Sequence, residues 1–196
     1  MEADCYGLER ITFAAGDVVV DIGGHVGVFA MYLAKRFPNI TIYSYEPEPL
    51  NYRCFVKNIT ANFVTNVRVF NRAVTSDRRP LPMLVHWSNT GGATAQLRDM
   101  NLPDHERFTT ESVTLDDIFL AHGIQRCRLL KIDCEGSEHE ILLRAACLDR
   151  VDYLSGEFHI NEHLAAQGHS IERLEAHCRK FIPSGHIQYS TCHMAE

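Results

Sequence analysis

Residues 18–22 read VVVDI, a β-branched run set between Gly16-Asp17 and Gly23-Gly24. Near-continuous apolar character bounded by turn formers predicts a strand buried on both faces. The spacing then lengthens. Val28, Met31, Tyr32 and Ala34 recur at helical intervals up to a Pro38-Asn39 stop, which predicts a helix over 28–37. The same exchange of periods repeats down the chain. Strands are expected over 40–45 and 67–70, around a helix over 49–62 that carries Leu50, Cys54, Phe55 and Ile59. Thr114 then N-caps a short helix to about His122, with Asp116 and Asp117 in its first turn. Strands over 128–133 and 151–158 flank a helix over 137–145, and a helix over 171–181 leads to a last short strand over 186–190.

Strand–helix alternation at this spacing calls for right-handed crossovers and a parallel sheet. The predicted fold class is α/β: a doubly wound, mostly parallel Rossmann-like sheet with helices on both faces. A single domain is expected over 1–196, with its core in 16–160 and a C-terminal helix and strand in 161–196. The alternation breaks between residues 75 and 112. There 81–87 reads as an added strand and SNTGGATA (88–95) as loop chemistry. A stretch that long is read as a functional insertion or hairpin region.

Composition narrows the function classes. The net charge is −6 with both signs mixed along the chain, which argues against a nucleic-acid-binding surface. The most basic stretch, RVFNRAVTSDRR (68–79), reads as a solvated loop. The seven cysteines are scattered without a C-x-x-C pair, and buried reduced thiols in a cytoplasmic protein are expected. No apolar run approaches the length of a membrane span, and no N-terminal targeting pattern is seen.

Ligands of doubly wound sheets bind beyond the carboxyl ends of the strands. Those ends carry Asp21, Glu46, Asn71, Asp133 and Glu157-Phe158-His159. Acidic residues at four of five ends repel one another unless a cation or a hydroxyl-rich ligand lies between them. The dinucleotide fingerprint does not fit, since His25 and Val28 hold its second and third glycine positions, and no Walker loop is present. An NAD-linked dehydrogenase is therefore disfavoured. S-adenosylmethionine fits better: its cationic centres suit Asp21 and Asp133, and its ribose diol suits Glu46, one β-α-β step beyond Asp21.

The motifs also carry a resemblance. VVVDIGGHVGVFA, YSYEPEPLNYRCFVKNI, FNRAV, VTLDDIF, LLKIDCEGSEHEIL and GEFH follow one another over roughly residues 16–160. Their order and content resemble the FkbM-type methyltransferases, a family similar in fold to other class I S-adenosylmethionine-dependent methyltransferases. The most specific elements are D-x-G-x-x-x-G followed by Y-E-P, and K-I-D-x-E-G-x-E. The resemblance implies O-methylation of a sugar, polyketide or other natural-product hydroxyl, with S-adenosylhomocysteine as product. It implies that Asp21, Gly23, His25 and Gly27 form the methionine-side loop and that Glu46 holds the ribose, with Pro47 fixing the next turn. Asn71 and Ala73 would lie near the adenine and Asp133 near the methyl donor. Two departures stand out. Gly24-His25 replaces the Ala-Asn common in the family, and an antiparallel seventh strand is not evident, so a shortened C-terminal edge is expected.

Other constellations carry less. His159-Ile160-Asn161-Glu162-His163 matches the H-x-x-E-H zinc-protease pattern, whose ligands need one helix, yet His159 follows a strand directly. Asp133 and Glu135 are candidates for a divalent cation, although none is expected; Glu138 reads as a carboxylate favoured by a helix N-terminus. In-line methyl transfer needs chiefly alignment, and a base adds to it. His159 oriented by Glu157 is the expected base, since an imidazole titrates near neutrality, and His25 is expected to face the cofactor. The N-terminus offers no evident cap over the crevice, so a small-molecule or carrier-bound hydroxyl acceptor would fit. Alternatives are N-methylation of a small or peptide-like acceptor, or a catalytically silent cofactor-binding module.

Overall fold

A computed structural model describes residues 6–86, 89–95 and 104–193. Its strands are β1 (Val18–Ile22), β2 (Thr41–Tyr45), β3 (Val67–Phe70), β4 (Ala73–Val74), β5 (Leu81–His86), β6 (Asn89–Thr94), β7 (His105–Thr110), β8 (Ser112–Val113), β9 (Cys127–Ile132), β10 (Val151–Ile160) and β11 (Ile187–His193). Its helices are α1 (Val28–Arg36), α2 (Pro49–Ala61), α3 (Leu115–Ala121), α4 (Glu138–Leu142), α5 (Glu162–Ala166) and α6 (Ile171–Cys178).

Six strands form one sheet in the order β11-β10-β9-β1-β2-β3, and every neighbouring pair is parallel. The α/β doubly wound architecture is as the periodicity requires. Strand residues divide by parity between two cores. Val19, Ile42 and Leu129 pack with Phe29, Leu33 and Phe55 of α1 and α2. Val20, Ile22, Leu130 and Ile132 pack with Ile118, Phe119, Leu142 and Leu174 of α3, α4 and α6 on the other face.

The C-terminal edge, expected to be shortened, carries a parallel strand. β11 pairs in parallel with β10 over seven residues, from Leu154↔Ile187 to Ile160↔His193. The chain leaves β10 through α5 and α6 and so returns to the same end of the sheet, which is what a parallel crossover demands. Antiparallel pairing is instead found in the 75–112 region, where β5 lies between β6 and β7. The stretch 88–95, read as loop, thus contains β6, while Trp87 and Ser88 lie outside the described residues.

The basic stretch 68–79 is largely paired at its C-terminal end. Arg78 makes a two-pronged ion pair with Asp117, and Arg79 does so with Glu140 while also reaching Asp77. Thr114 caps α3 in a full capping box with Asp117. The described cysteines are free thiols, Cys127, Cys147 and Cys178 being buried, and Cys5 lies outside the described residues. Among the described residues no helix is long and apolar enough to cross a membrane.

Candidate active site

The connections from β1 run to β2 and β3 on one side and, later, to β9 and β10 on the other. The strand order therefore reverses beside β1, and a cavity of about 430 Å³ opens there, at the carboxyl ends of the strands. Its lining includes Gly23, His25, Glu46, Pro47, Ala73, Asp133, Glu135 and Glu157. Leu81, Met83 and Ala93 of the antiparallel sheet close one wall, and the Thr94 hydroxyl donates to the Glu135 carbonyl at 2.8 Å. Along the sheet the acids follow the strand order: Glu157 on β10, Asp133 after β9, Glu46 after β2. Strands about 4.8 Å apart thus separate Asp133 from Glu46 by two spacings.

Asp21 does not line this cavity. It lies one residue inside β1, on the face toward α1, and is fully buried. In register beside it are Ser44 on β2 and Lys131 on β9, with Ser155 of β10 next to Lys131. The four form a buried polar row across four strands. Ser44 Oγ donates to Asp21 Oδ2 at 2.6 Å, and Lys131 Nζ stands 3.3 Å from Asp21 Oδ1. The same ammonium donates to the Gly23 carbonyl at 2.6 Å and lies 3.9 Å from Asp133 Oδ2. Burial pulls the Lys131 pKa down, yet Asp21 and Asp133 more than offset it and hold the ammonium charged. Asp21 is thus compensated within the protein, and the acids left to attract a cation are those that line the cavity. Lys131 was missed in the sequence, although a lysine inside the apolar run RLLKI needs a buried carboxylate.

Glu46 stands on the first residue after β2 and is only 4 % exposed. His25 N–H donates to Oε2 at 2.8 Å and Glu48 N–H to Oε1 at 2.9 Å. Burial lifts its pKa to about 7 against these hydrogen bonds, which pull the other way. The glycine loop makes this possible. His25 takes a left-handed φ of 49° to present its N–H, while its ring is exposed at the cavity. Burial, then the Lys131 charge, lower its pKa. Gly23 has φ 79°, and a Cβ there would fall 1.7 Å from the Asp133 carbonyl. Asn71 lies outside the lining: its amide donates to the carbonyls of Glu46 and Pro47 and so fixes the loop that carries both. Ala73 does line the cavity, next to Arg72.

The opposite end centres on the turn after β9. Glu138, wholly buried at the start of α4, accepts the N–H groups of Cys134 and Gly136. Its Oε1 is 3.0 Å from His159 Nδ1. Burial would raise Glu138, but His159 and the turn N–H groups hold it below the ordinary carboxylate range. His159 Nε2 faces Glu135 Oε2 at 3.5 Å. Burial works against its charge, yet Glu138 and then Glu135 and Asp133 raise its pKa to about 9. Burial likewise lifts Glu135 to about 7.

These contacts differ from the expected pair. His159 is oriented by Glu138 rather than Glu157, is 2 % exposed, and lies behind the lining instead of in it. Glu138 was readable only as a helix-start carboxylate, because its partner is 21 residues away. His159 lies in β10 and His163 in α5, so the H-x-x-E-H histidines share no helix. The N-terminal segment does reach the site: the Tyr6 hydroxyl donates to Asp133 Oδ2 at 3.1 Å, and Ser155 Oγ donates to the Tyr6 carbonyl.

Comparisons with known proteins agree with this architecture. The model of the methyltransferase FkbM domain matches residues 21–177. Among curated relatives, 31-O-demethyl-FK506 methyltransferase FkbM of Streptomyces tacrolimicus is 29 % identical over 164 residues, covering 70 % of this chain and 63 % of that protein. Methyltransferase 1 of Beauveria bassiana (strain ARSEF 2860) is 25 % identical over 154 residues, covering 70 % and 61 %. The chain thus spans about three fifths of the length of these relatives. The crystal structure of methyltransferase FkbM from Methylobacillus flagellatus KT superposes with a TM-score of 0.53 at 16 % identity, over 90 % of this chain and 40 % of that one. With most of its length matched by the domain model, this chain belongs to the FkbM methyltransferase family.

Proposed function

We propose that the protein transfers a methyl group from S-adenosylmethionine to a hydroxyl oxygen of a sugar, polyketide or other natural-product acceptor, free or carrier-bound. The observation that carries this reading is a cavity at the switch point lined by four carboxylates, Glu46, Asp133, Glu135 and Glu157, with Lys131 already engaged by Asp21. Such a cavity favours a ligand with cationic centres and hydroxyls over a pyrophosphate. Its volume is within the range of small-molecule sites.

The donor set fits the cofactor. Glu46 takes the N–H groups of His25 and Glu48 and the Asn51 side chain, short of the roughly four hydrogen bonds a carboxylate accepts. The capacity left over suits a ribose diol. Asp133, two strands away, suits the methionine end, and Pro47 and Ala73 suit the adenine, with Asn71 acting through the loop it fixes. Gly23, His25 and Gly27 shape the turn between them. Asp21 acts at one remove, by holding Lys131 under that turn.

S-adenosylmethionine supplies an already activated methyl group, so alignment of oxygen, carbon and sulfur dominates the chemistry. Glu157, lining the cavity on β10, is the group that takes the hydroxyl proton, and a base contributes about 10²–10⁴-fold. His159, held behind it, is a positioning residue. The name of the Streptomyces relative specifies methylation at an oxygen of FK506, which supports a hydroxyl acceptor. Buried free thiols support a cytoplasmic place of action. Incubation with methyl-labelled S-adenosylmethionine and a panel of hydroxylated acceptors tests the reading by mass spectrometry. A labelled methyl ether is expected, and Glu157→Gln is expected to cut turnover at least about tenfold with S-adenosylmethionine affinity kept. Methylation of amines alone would overturn the acceptor class.

A further inference from the structure

His159 has a second ring nitrogen that alignment and proton transfer leave unused. We propose that Asp133, Glu135 and His159 form a site for a divalent transition-metal ion, which holds the acceptor hydroxyl beside the methyl donor. The role of the ion rests on the methyltransferase reading, whereas the site itself rests on geometry alone.

The imidazole is set as metal-binding histidines are set. Its Nδ1 is tied at 3.0 Å to a carboxylate that is itself locked by two backbone N–H groups. A carboxylate behind the ring fixes its tautomer and orientation and leaves Nε2 to a metal. His159 is 2 % exposed, and that nitrogen points at Glu135 Oε2 across 3.5 Å. One ligand atom from each of Asp133, Glu135 and His159 lies within 4.8 Å of the others. Bonds of about 2.1 Å place neighbouring donors roughly 3–3.5 Å apart, so a contraction of at most about 1.3–1.8 Å closes the site. Glu135 is the residue able to move. It is half-buried and sits on the turn between β9 and α4 at a left-handed φ of 53°.

Charge points the same way. Lys131 stands nearer Asp21 than Asp133 and His159 nearer Glu138 than Glu135, so Asp133, Glu135 and Glu157 face one cavity with only these shared cations beside them. An ammonium or sulfonium would relieve that repulsion but gives an imidazole nitrogen nothing to bind. A mixed imidazole and carboxylate set suits Mn²⁺ or Zn²⁺ better than Mg²⁺ or Ca²⁺. A second trio, Glu157, His159 and Cys192, shares the histidine. The trio with Asp133 and Glu135 has two of its ligands in the cavity lining against one for the trio with Cys192, which sits on the edge strand, and is preferred. Ion binding displaces a proton from Nε2 to solvent. A hydroxyl oxygen on the ion then loses its proton more readily. The proton passes to Glu157 as the oxygen–methyl bond forms and the sulfur–methyl bond breaks.

The test uses the full chain stripped with EDTA and titrated with MnCl₂, following loss of the free Mn²⁺ electron paramagnetic resonance signal. One tightly held Mn²⁺ per chain is expected, with MgCl₂ a weak competitor. Glu135→Gln and His159→Ala should each weaken uptake at least about tenfold, and Glu138→Gln about 10–100-fold, while Cys192→Ser leaves it unchanged. Circular dichroism checks that each variant is folded, and Glu135→Gln carries the test if His159→Ala is not. No uptake by the wild type, or wild-type uptake by Glu135→Gln, would overturn the site; so would loss in Cys192→Ser alone. Calorimetry with S-adenosylhomocysteine on the same stripped protein separates the two readings. Its binding without Mn²⁺ uptake overturns the site only, and Mn²⁺ uptake without its binding supports the site and overturns the methyltransferase reading.

Discussion

A lysine ammonium and an aspartate carboxylate lie 3.3 Å apart beneath the glycine turn, both buried, and each is affordable only because of the other. Lys131→Met should therefore cost about 3–5 kcal/mol by leaving Asp21 charged and unpaired. The double variant Lys131→Met, Asp21→Asn should recover much of that loss in chemical denaturation; equal losses would contradict the pairing. Glu46 obeys a different balance. Burial lifts it to about 7, so the folded carboxyl holds a proton that the unfolded chain has already released above about 4.5. The contribution of Glu46 to the stability of the unliganded protein is thus lost as pH rises from 4.5 through 7. A ribose diol donating to the ionised carboxylate reverses this preference, so S-adenosylmethionine affinity should rise through pH 7 with release of a proton. Calorimetry in buffers of different ionisation enthalpy reads that proton, and pH-independent affinity would exclude Glu46 from the diol. The polar letters at the strand ends were legible as a site, but their division was not. Whether a carboxylate meets a ligand or a lysine depends on strand register, and Asp21 beside Lys131 is a pairing across 110 residues.

At the scale of elements, the turn after β1 is fixed by close approach. Gly23 and Gly27 have φ of 79° and 89°, and a Cβ on Gly27 would lie 2.3 Å from the Phe55 ring. Gly27→Ala should destabilise the fold by more than about 1 kcal/mol, since strain at φ > 0 adds to overpacking, and should weaken cofactor binding through the displaced His25 N–H. A thermal melt unchanged from wild type would contradict this. Thr114 was readable as an N-cap, and Asp117 completes it as a capping box; Thr114→Ala should cost about 1 kcal/mol in denaturant unfolding. The five core strands β1, β2, β3, β9 and β10 were legible because burial leaves predominantly apolar runs rich in β-branched and aromatic residues. The antiparallel β5–β7 sheet was harder to read. Polar and turn-forming residues dominate β6 and β7, and their pairing with β5 answers to the wall of the cavity they build. β11 was found as a strand, but its direction is set by the α5–α6 return and not by its own sequence.

Across the whole molecule, a wholly parallel six-stranded sheet, a reversal of order beside β1 and an acid-lined cavity at that reversal form one arrangement. The antiparallel sheet closes one side of the cavity, and Tyr6 brings the N-terminal segment against Asp133 on another. The chain spans about three fifths of the length of its curated relatives. What the molecule must retain, if it works as proposed, is a seat for the methyl donor. Calorimetric titration of S-adenosylhomocysteine into the wild type and into Glu46→Gln at pH 7.5 tests this most directly. One site per chain is predicted for the wild type, with affinity falling about 10–100-fold in the variant, as expected for loss of a charge-assisted hydrogen bond. Absence of binding to the wild type, or equal binding to both proteins, would contradict the account.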